Sequence, residues 1–258
     1  MSEYGPFSLD RSRKRLYKNI MNMIGFSTGC LYKSSWNIFE VIEGISAIET
    51  EAIELNFGRV EELTQLSEAD IQLLARTTRV FRNVSIHAPF RKILYDKSTS
   101  NLLERIVKMA LSIHSNYVVF HPDTIGSFGL IEQKLGTQAA IENMDKDKKI
   151  GQKVIDLERI FKRMPSSQFV LDLNHVFTVD PTMSLAVDFF ETFRSRLASC
   201  HLSGYGGEEA LHTSFAVIPD KTILNSVPDR NVLAIHEGVF DNFQEMKEEY
   251  SSLANLLD

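Results

Sequence analysis

The stretch Phe169-Val-Leu-Asp-Leu-Asn-His175 shows the pattern that decides the fold. Its short apolar run predicts a buried β-strand, and Asp172 and His175 stand where that strand ends. The same arrangement, an apolar run that closes on an acidic or imidazole side chain, recurs at Glu54, His87, His121, Glu142, His201 and Glu237. Ionisable side chains are therefore concentrated at the carboxyl ends of the predicted strands.

Eight apolar runs rich in Val, Ile and Phe alternate with longer segments of helical periodicity. The predicted strands are Met23–Thr28, Ala52–Asn56, Val84–Ala88, Tyr117–His121, Gln138–Glu142, Phe169–Leu173, Ala198–Leu202 and Val232–Glu237. The predicted helices are Trp36–Ile48, Ala69–Arg79, Ser98–Ser115, Lys153–Arg163, Met183–Arg196 and Asp241–Leu256. Parallel strands joined by helices cross over right-handed, so eight such units close most economically into a (β/α)8 TIM barrel. A doubly wound open sheet is the structural alternative.

The length of 258 residues suits one barrel of this type, which needs about 250 residues. No linker rich in Pro, Gly or Ser divides residues 23–258, so we predict a single α/β barrel domain there. Residues 1–22 are predicted to form a short N-terminal extension, an added helix that carries the basic cluster Arg11–Arg15.

The net charge, the length of the apolar runs and the cysteine spacing argue against several classes of protein. The formal charge is −6, so no overall positive field attracts nucleic acid, and a nucleic-acid partner is disfavoured without being excluded. No apolar run is long enough to span a bilayer, so no membrane partner is expected. Cys30 and Cys200 show neither disulfide-framework nor zinc-ribbon spacing, which fits a reducing, cytoplasmic compartment. The oligomeric state is left open.

The strand-end residues together predict a metal site. The carboxyl ends of barrel strands meet at one mouth, and buried carboxylates beside imidazoles need cations or mutual hydrogen bonds to compensate them. Four consecutive strands supply Glu142, Asp172, His201 and Glu237, an oxygen-rich set that suits Mn²⁺, Mg²⁺ or Co²⁺. Adding the imidazoles shifts the preference toward Zn²⁺; these are His87, His121, His175 and His212.

Other residues near the strand ends are assigned by their position. Glu54, Phe90 and Arg91 are predicted to contact the substrate, the last two by stacking and by charge pairing. His236 precedes Glu237 and should point to the opposite side of its strand, so it is not expected to be a ligand.

At these residues the chain resembles the xylose isomerase-like TIM barrel superfamily. This superfamily includes sugar and sugar-phosphate isomerases and epimerases and the repair nuclease endonuclease IV, of AP endonuclease family 2. The resemblance implies that Glu142, Asp172, His201 and Glu237 are the shared metal ligands. It also implies that His87 and His121 hold another zinc with Glu142, as in the nuclease. His175 resembles a substrate-contacting or metal-binding histidine, and His212 the last histidine of the nuclease's Asp-x-His pair.

The chain departs from both branches of this superfamily. Ala210 stands where the nuclease has the Asp of its Asp-x-His pair, and Asn143–Lys146 replaces the nuclease's Gly-rich stretch. The aromatic, DNA-inserting loop has no counterpart after His87, and the epimerase Arg is missing between His201 and His212.

Three functional hypotheses follow. The preferred one is a divalent-metal-dependent isomerase or epimerase of a small sugar or sugar phosphate, with Glu142 and Glu237 exchanging the proton and His175 orienting the substrate. The second is a zinc-dependent phosphodiesterase like endonuclease IV, in which Glu142 bridges two cations. The third is a barrel that binds a ligand without turnover. The acidic charge and Ala210 favour the first hypothesis.

Overall fold

Eight parallel strands close into a barrel in sequence order, so the predicted barrel is confirmed and the open-sheet alternative is wrong. The computed structural model describes residues 24–91, 93–207, 212–218, 221–229 and 231–256. The predicted N-terminal extension and Ala210 lie outside these residues. The strands are β1 (Ile24–Ser27), β2 (Ala52–Asn56), β3 (Asn83–His87), β4 (Tyr117–Phe120), β5 (Ala139–Glu142), β6 (Gln168–Asp172), β7 (Leu197–Leu202) and β8 (Ala234–His236).

Helices follow the strands along the chain. In the described residues they are α1 (Ile38–Ser46), α2 (Val60–Thr64), α3 (Glu68–Thr77), α4 (Ser100–Ser112), α5 (Phe128–Leu135), α6 (Val154–Arg163), α7 (Leu173–Val179), α8 (Ser184–Phe193), α9 (Thr222–Asn225) and α10 (Phe243–Leu256). The prediction placed Leu173 in a strand, but α7 begins there, directly after β6. None of these helices combines the length and the hydropathy that a bilayer span requires.

The two sides of the sheet differ in character. Outward-facing residues such as Phe26, Ile53 and Phe169 belong to the large apolar cluster that packs the helices onto the barrel. Inside the barrel a small cluster formed by Tyr117, Val119, Ala140 and Val170 fills the space. Polar side chains accompany it there, with Tyr117 Oη donating to Ser199 Oγ at 2.8 Å. The interior therefore carries a polar network close to the carboxyl ends of the strands.

Glu249 of α10 ties the last helix to the barrel. Its buried carboxylate accepts hydrogen bonds from Ser214 Oγ at 3.0 Å, from Ala216 N at 3.0 Å and from the backbone N–H of Phe215. The Nε2 atom of His236 lies 3.1 Å from Oε1 of the same carboxylate. His236 thus faces outward from β8, away from the mouth, as its alternation with Glu237 predicts.

Replacing Glu249 with Gln should lower the free energy of unfolding by about 3 kcal/mol, because buried donors lose a charged acceptor. Burial works against ionisation, but the hydrogen bond from His236 lowers the pKa of Glu249. Its stabilising contribution is therefore present above the ordinary glutamate pKa and is lost as the pH falls through the lowered value. Urea unfolding at neutral and acidic pH measures both effects.

The matched control is Glu248→Gln, an exposed position on the same helix, which should change stability by less than about 0.5 kcal/mol. A Glu249→Gln variant as stable as the Glu248→Gln variant at neutral pH would contradict the anchoring role.

Candidate metal centre

Glu142, at the end of β5, lies at the middle of the centre. Its Oε1 atom is 2.9 Å from Nδ1 of His201, and its Oε2 atom is 3.0 Å from Nε2 of His121 and 3.3 Å from Nε2 of His87. His87 and His201 lie on β3 and β7, and His121 directly follows β4. Closure of the barrel thus brings three imidazoles, distant in sequence, onto one carboxylate.

Two groups of donors share this carboxylate. One consists of Glu142, Asp172, His201 and Glu237, and the other of His87, His121 and Glu142. Within each group, one ligand atom from every residue lies within 4.8 Å of all the others. The Oδ2 atom of Asp172 is buried and has no hydrogen-bond partner among the described residues. His175 Nδ1 lies 3.5 Å from this oxygen, within ion-pair distance. A buried carboxylate oxygen that accepts no hydrogen bond, beside imidazoles and further carboxylates, fits a divalent cation.

The junction of β6 and α7 fixes the direction of Asp172. Its Oδ1 atom caps the helix by accepting the backbone N–H of His175 at 2.7 Å, which leaves Oδ2 to the centre. Asn143, the residue after Glu142, holds this junction against β5, since its Nδ2 donates to Asp172 O at 2.9 Å and its Oδ1 accepts from Asp172 N at 2.8 Å.

Backbone carbonyls set the orientation of two imidazoles. Nδ1 of His87 lies 3.1 Å from the carbonyl oxygen of Ala88, and Nδ1 of His175 lies 2.9 Å from that of Asn143. A carbonyl only accepts, so each Nδ1 donates and Nε2 is the atom offered to the centre or the cavity. Such bonds fix the tautomer of a metal-binding histidine.

The charges of the centre shift several pKa values. Burial opposes ionisation of Glu142 and Glu237, yet the charge of His201 holds the pKa of Glu142 well below its ordinary value and lowers that of Glu237 to about 2. Burial raises the pKa of Asp172 to about 7. Burial also disfavours the charged form of His87, but the hydrogen bond to Glu142 raises its pKa to about 9. Protons on imidazoles thus balance the carboxylates, and a cation would displace them.

A cavity of about 760 Å³ opens above the centre. Phe90 and Arg91, predicted to contact the substrate, both line it, and the Phe90 ring stacks on His121 with centroids 4.8 Å apart. Glu54, predicted with them, does not reach the cavity: its side chain is fully buried inside the barrel, beneath His201.

Three further predicted residues line the cavity: His175, Glu237 and His212. Of these, His212 belongs to neither donor group. Nδ1 of His212 is 2.9 Å from Ser203 Oγ, and its ring is 5.6 Å from that of His175. Asn143 was not predicted as a positioning residue, although it directly follows the strand-end Glu142.

No family profile and no curated protein matches the sequence. Solved structures do match. A D-tagatose 3-epimerase-like protein has a TM-score of 0.65 at 17% identity, covering 91% of this chain and 98% of its own. Endonuclease IV from Thermus thermophilus has a TM-score of 0.61 at 16% identity, covering 91% and 97%. The probable 3-DHS dehydratase AsbF from Bacillus anthracis has a TM-score of 0.61 at 14% identity, covering 90% and 98%.

These likenesses confirm the predicted fold class. The neighbours are xylose isomerase-like TIM barrel proteins, and the chain shares their single-domain (β/α)8 architecture over about nine-tenths of its length. One fold serves several chemistries in this group, so the likeness by itself fixes no reaction.

After chelation and reloading with Zn²⁺ or Mn²⁺, the protein is expected to hold two cations per chain, one for each donor group. The double variant His87→Ala/His121→Ala leaves the other group intact and should hold one. Elemental analysis of the desalted protein measures the content. His114→Ala, at an exposed histidine beyond the end of α4, is the control and should match the wild type. Wild-type protein that holds no cation would contradict the assignment.

Proposed function

We propose that the protein is a divalent-metal-dependent hydrolase of phosphate esters, in which the two donor groups that have Glu142 in common would each hold a cation. The observation that carries this proposal is the placement of imidazoles at both oxygens of Glu142, with His87 and His121 at Oε2 and His201 at Oε1. Such a carboxylate can bridge two cations, and paired cations are the usual means of stabilising the attacking and leaving oxygens of phosphoryl transfer.

The same observation weakens the isomerase hypothesis, which the sequence favoured. That mechanism requires Glu142 to exchange a proton with the substrate. Both of its oxygens face imidazoles of the two donor groups, and its side chain is only 1% exposed. A carboxylate with an imidazole at each oxygen is poorly placed to exchange a proton with a substrate, so the geometry favours the hydrolase.

When bound, the cations would polarise a phosphate oxygen and lower the pKa of a water molecule. The side chains of the protein hold the donor groups in position. Glu142 fixes the two donor groups relative to each other, and Asp172 is held in place by Asn143. The Phe90 ring covers one face of the His121 ring. The Nε2 atom of His175 is offered to the cavity, because Nδ1 donates to Asn143 O.

His212 offers a neutral imidazole to the cavity. Burial lowers its pKa to about 4, so the imidazole is neutral at neutral pH. When its Nδ1 donates to Ser203 Oγ, which lies 2.9 Å away, its Nε2 is left to accept a hydrogen bond from a substrate group in the cavity. The positive charge that a phosphate ester needs away from the cations comes from the cavity-lining residues Arg59 and Arg91, since the ammonium of Lys148, which also lines the cavity, is paired with Asp123 at 2.9 Å.

The net charge of −6 points to a small phosphate ester rather than duplex DNA, because it supplies no extended positive field for a polyanion. An isomerase or epimerase of a sugar phosphate is the second candidate. Glu237 favours it, since its side chain is 13% exposed and lines the cavity, whereas that of Glu142 is 1% exposed. A carboxylate open to the cavity can exchange a proton with a substrate.

The Zn²⁺- or Mn²⁺-loaded protein is expected to hydrolyse a chromogenic phosphodiester such as bis(p-nitrophenyl) phosphate. His121→Ala should lower kcat/KM by at least about 100-fold, because Lewis-acid stabilisation is worth several kcal/mol. His114→Ala should leave it unchanged. An abasic-site duplex assayed in parallel should be cleaved more slowly than the small ester; efficient cleavage of the duplex would instead place the activity with the nuclease.

Incubation of the loaded protein with ketoses and ketose phosphates in D₂O tests the second candidate. Mass spectrometry would detect deuterium at the carbon next to the carbonyl. Exchange without any phosphoester hydrolysis would overturn the proposal in favour of the isomerase. A loaded protein that turns over neither class of substrate would support a barrel that only binds its ligand.

A further inference from the structure

Glu54 is a buried carboxylate that the proposed reaction does not use. It lies on β2 with no exposed surface, inside the barrel and beneath the metal centre. Its Oε2 atom accepts a hydrogen bond from Ser85 Oγ at 2.9 Å, and its Oε1 atom has no hydrogen-bond partner among the described residues. A carboxylate so placed is costly unless a positive group compensates it, so its presence in the interior requires an explanation.

The His201 imidazole lies next to Glu54. Its Nε2 atom makes no hydrogen bond among the described residues, and Oε2 of Glu54 lies 3.4 Å from it, within ion-pair distance. On the other side of the same ring, Nδ1 lies 2.9 Å from Oε1 of Glu142 and 3.3 Å from Oε2 of Glu237. The ring thus stands between the centre above and a single carboxylate below.

This arrangement matches what a metal-binding histidine needs. The nitrogen that binds a cation must offer its lone pair, so the ring proton has to reside on the other nitrogen. That proton needs an acceptor, and a carboxylate in this place fixes the ring and makes it a stronger ligand. For His201 the nitrogen that faces the donor group is Nδ1, and the acceptor that faces Nε2 is Glu54.

We propose that Glu54 is a positioning residue of the metal centre: it keeps the proton of His201 on Nε2 and so presents Nδ1 to the cation. The inference rests on the metal centre of the proposed function and holds for either candidate reaction. It replaces the expectation that Glu54 contacts the substrate, because the buried side chain does not line the cavity.

Ser85 distinguishes this role from simple packing. Its hydroxyl holds Glu54 from β3, and among the described residues it makes no hydrogen bond to His201. If Glu54 only fills the interior, neither the loss of this hydrogen bond nor the loss of the carboxylate changes the affinity for the cation. If Glu54 acts through His201, loss of the carboxylate weakens cation binding more than loss of the hydrogen bond to Ser85, which leaves the carboxylate in the barrel.

The test measures Zn²⁺ affinity by competition with a chelator of known affinity, with no substrate present. Glu54→Ala should weaken the binding of the cation held by His201 by about 10- to 100-fold. Glu54→Gln keeps the volume and one acceptor oxygen, so it should weaken binding less. The distant Glu249→Gln is the control and should change the affinity by less than about threefold. Ser85→Ala removes only the hydrogen bond that holds Glu54, so it should weaken binding less than Glu54→Ala does. Thermal unfolding of the metal-free variants shows whether each is folded.

A second measurement requires no variant. In ¹⁵N-histidine-labelled, Zn²⁺-loaded wild-type protein, long-range ¹H–¹⁵N NMR reports which nitrogen of His201 carries the proton. We expect the proton on Nε2 and zinc on Nδ1, and Glu54→Gln should shift the Nε2 resonance. Unchanged affinity in both Glu54 variants, or a His201 proton on Nδ1, would overturn the inference and leave the proposed function standing. Wild-type protein that binds no Zn²⁺ would overturn both.

Discussion

The buried carboxylate of Glu142 is the group on which the centre depends. Removing such a charge from water costs several kcal/mol unless positive or donating groups surround it. His87, His121 and His201 provide that compensation from three other parts of the barrel. Each of them is far from Glu142 in sequence, so the ring of strands must close before the charge is satisfied. The metal centre therefore forms only when the barrel closes, and a closed barrel with Glu142 in this place needs the three imidazoles.

The barrel meets this requirement by using the two faces of its sheet differently. The outward side chains pack against the helices and supply most of the apolar burial. The inward side chains fill the barrel beneath the mouth. This layer is partly polar, as the hydrogen bonds of Glu54, Ser85 and Ser199 show. A rigid sheet that holds both the donors and their supporting groups keeps the geometry that metal chemistry requires. Loop residues such as Phe90 and Arg91 then shape the cavity above it.

Much of this could be predicted from the sequence. Alternating strand and helix periodicity located all eight strands to within two residues, and ionisable residues at strand ends marked the centre. Two predicted site residues lie elsewhere than their sequence position suggests, Glu54 on a strand and His212 in the loop after β7. Glu54 carries the same sequence pattern as Glu142, yet one is enclosed in the interior and the other lies at the mouth. His212 was grouped with the ligands but lies beside Ser203, outside both donor groups. How far along a strand the barrel interior extends is set by the stagger of neighbouring strands, which a single sequence does not display.

The sequence by itself determined which residue types meet at the mouth, because strand periodicity dictates where an ionisable side chain follows an apolar run. It also determined that these side chains must be compensated, since carboxylates and imidazoles enter a protein interior only with partners. The tertiary structure decided how they pair: that Glu142 is shared by two donor groups, that Asp172 divides its oxygens between a helix cap and the centre, and that Glu54 faces His201. Those pairings depend on distances of a few ångströms between strands remote in sequence, and only the closed barrel sets such distances.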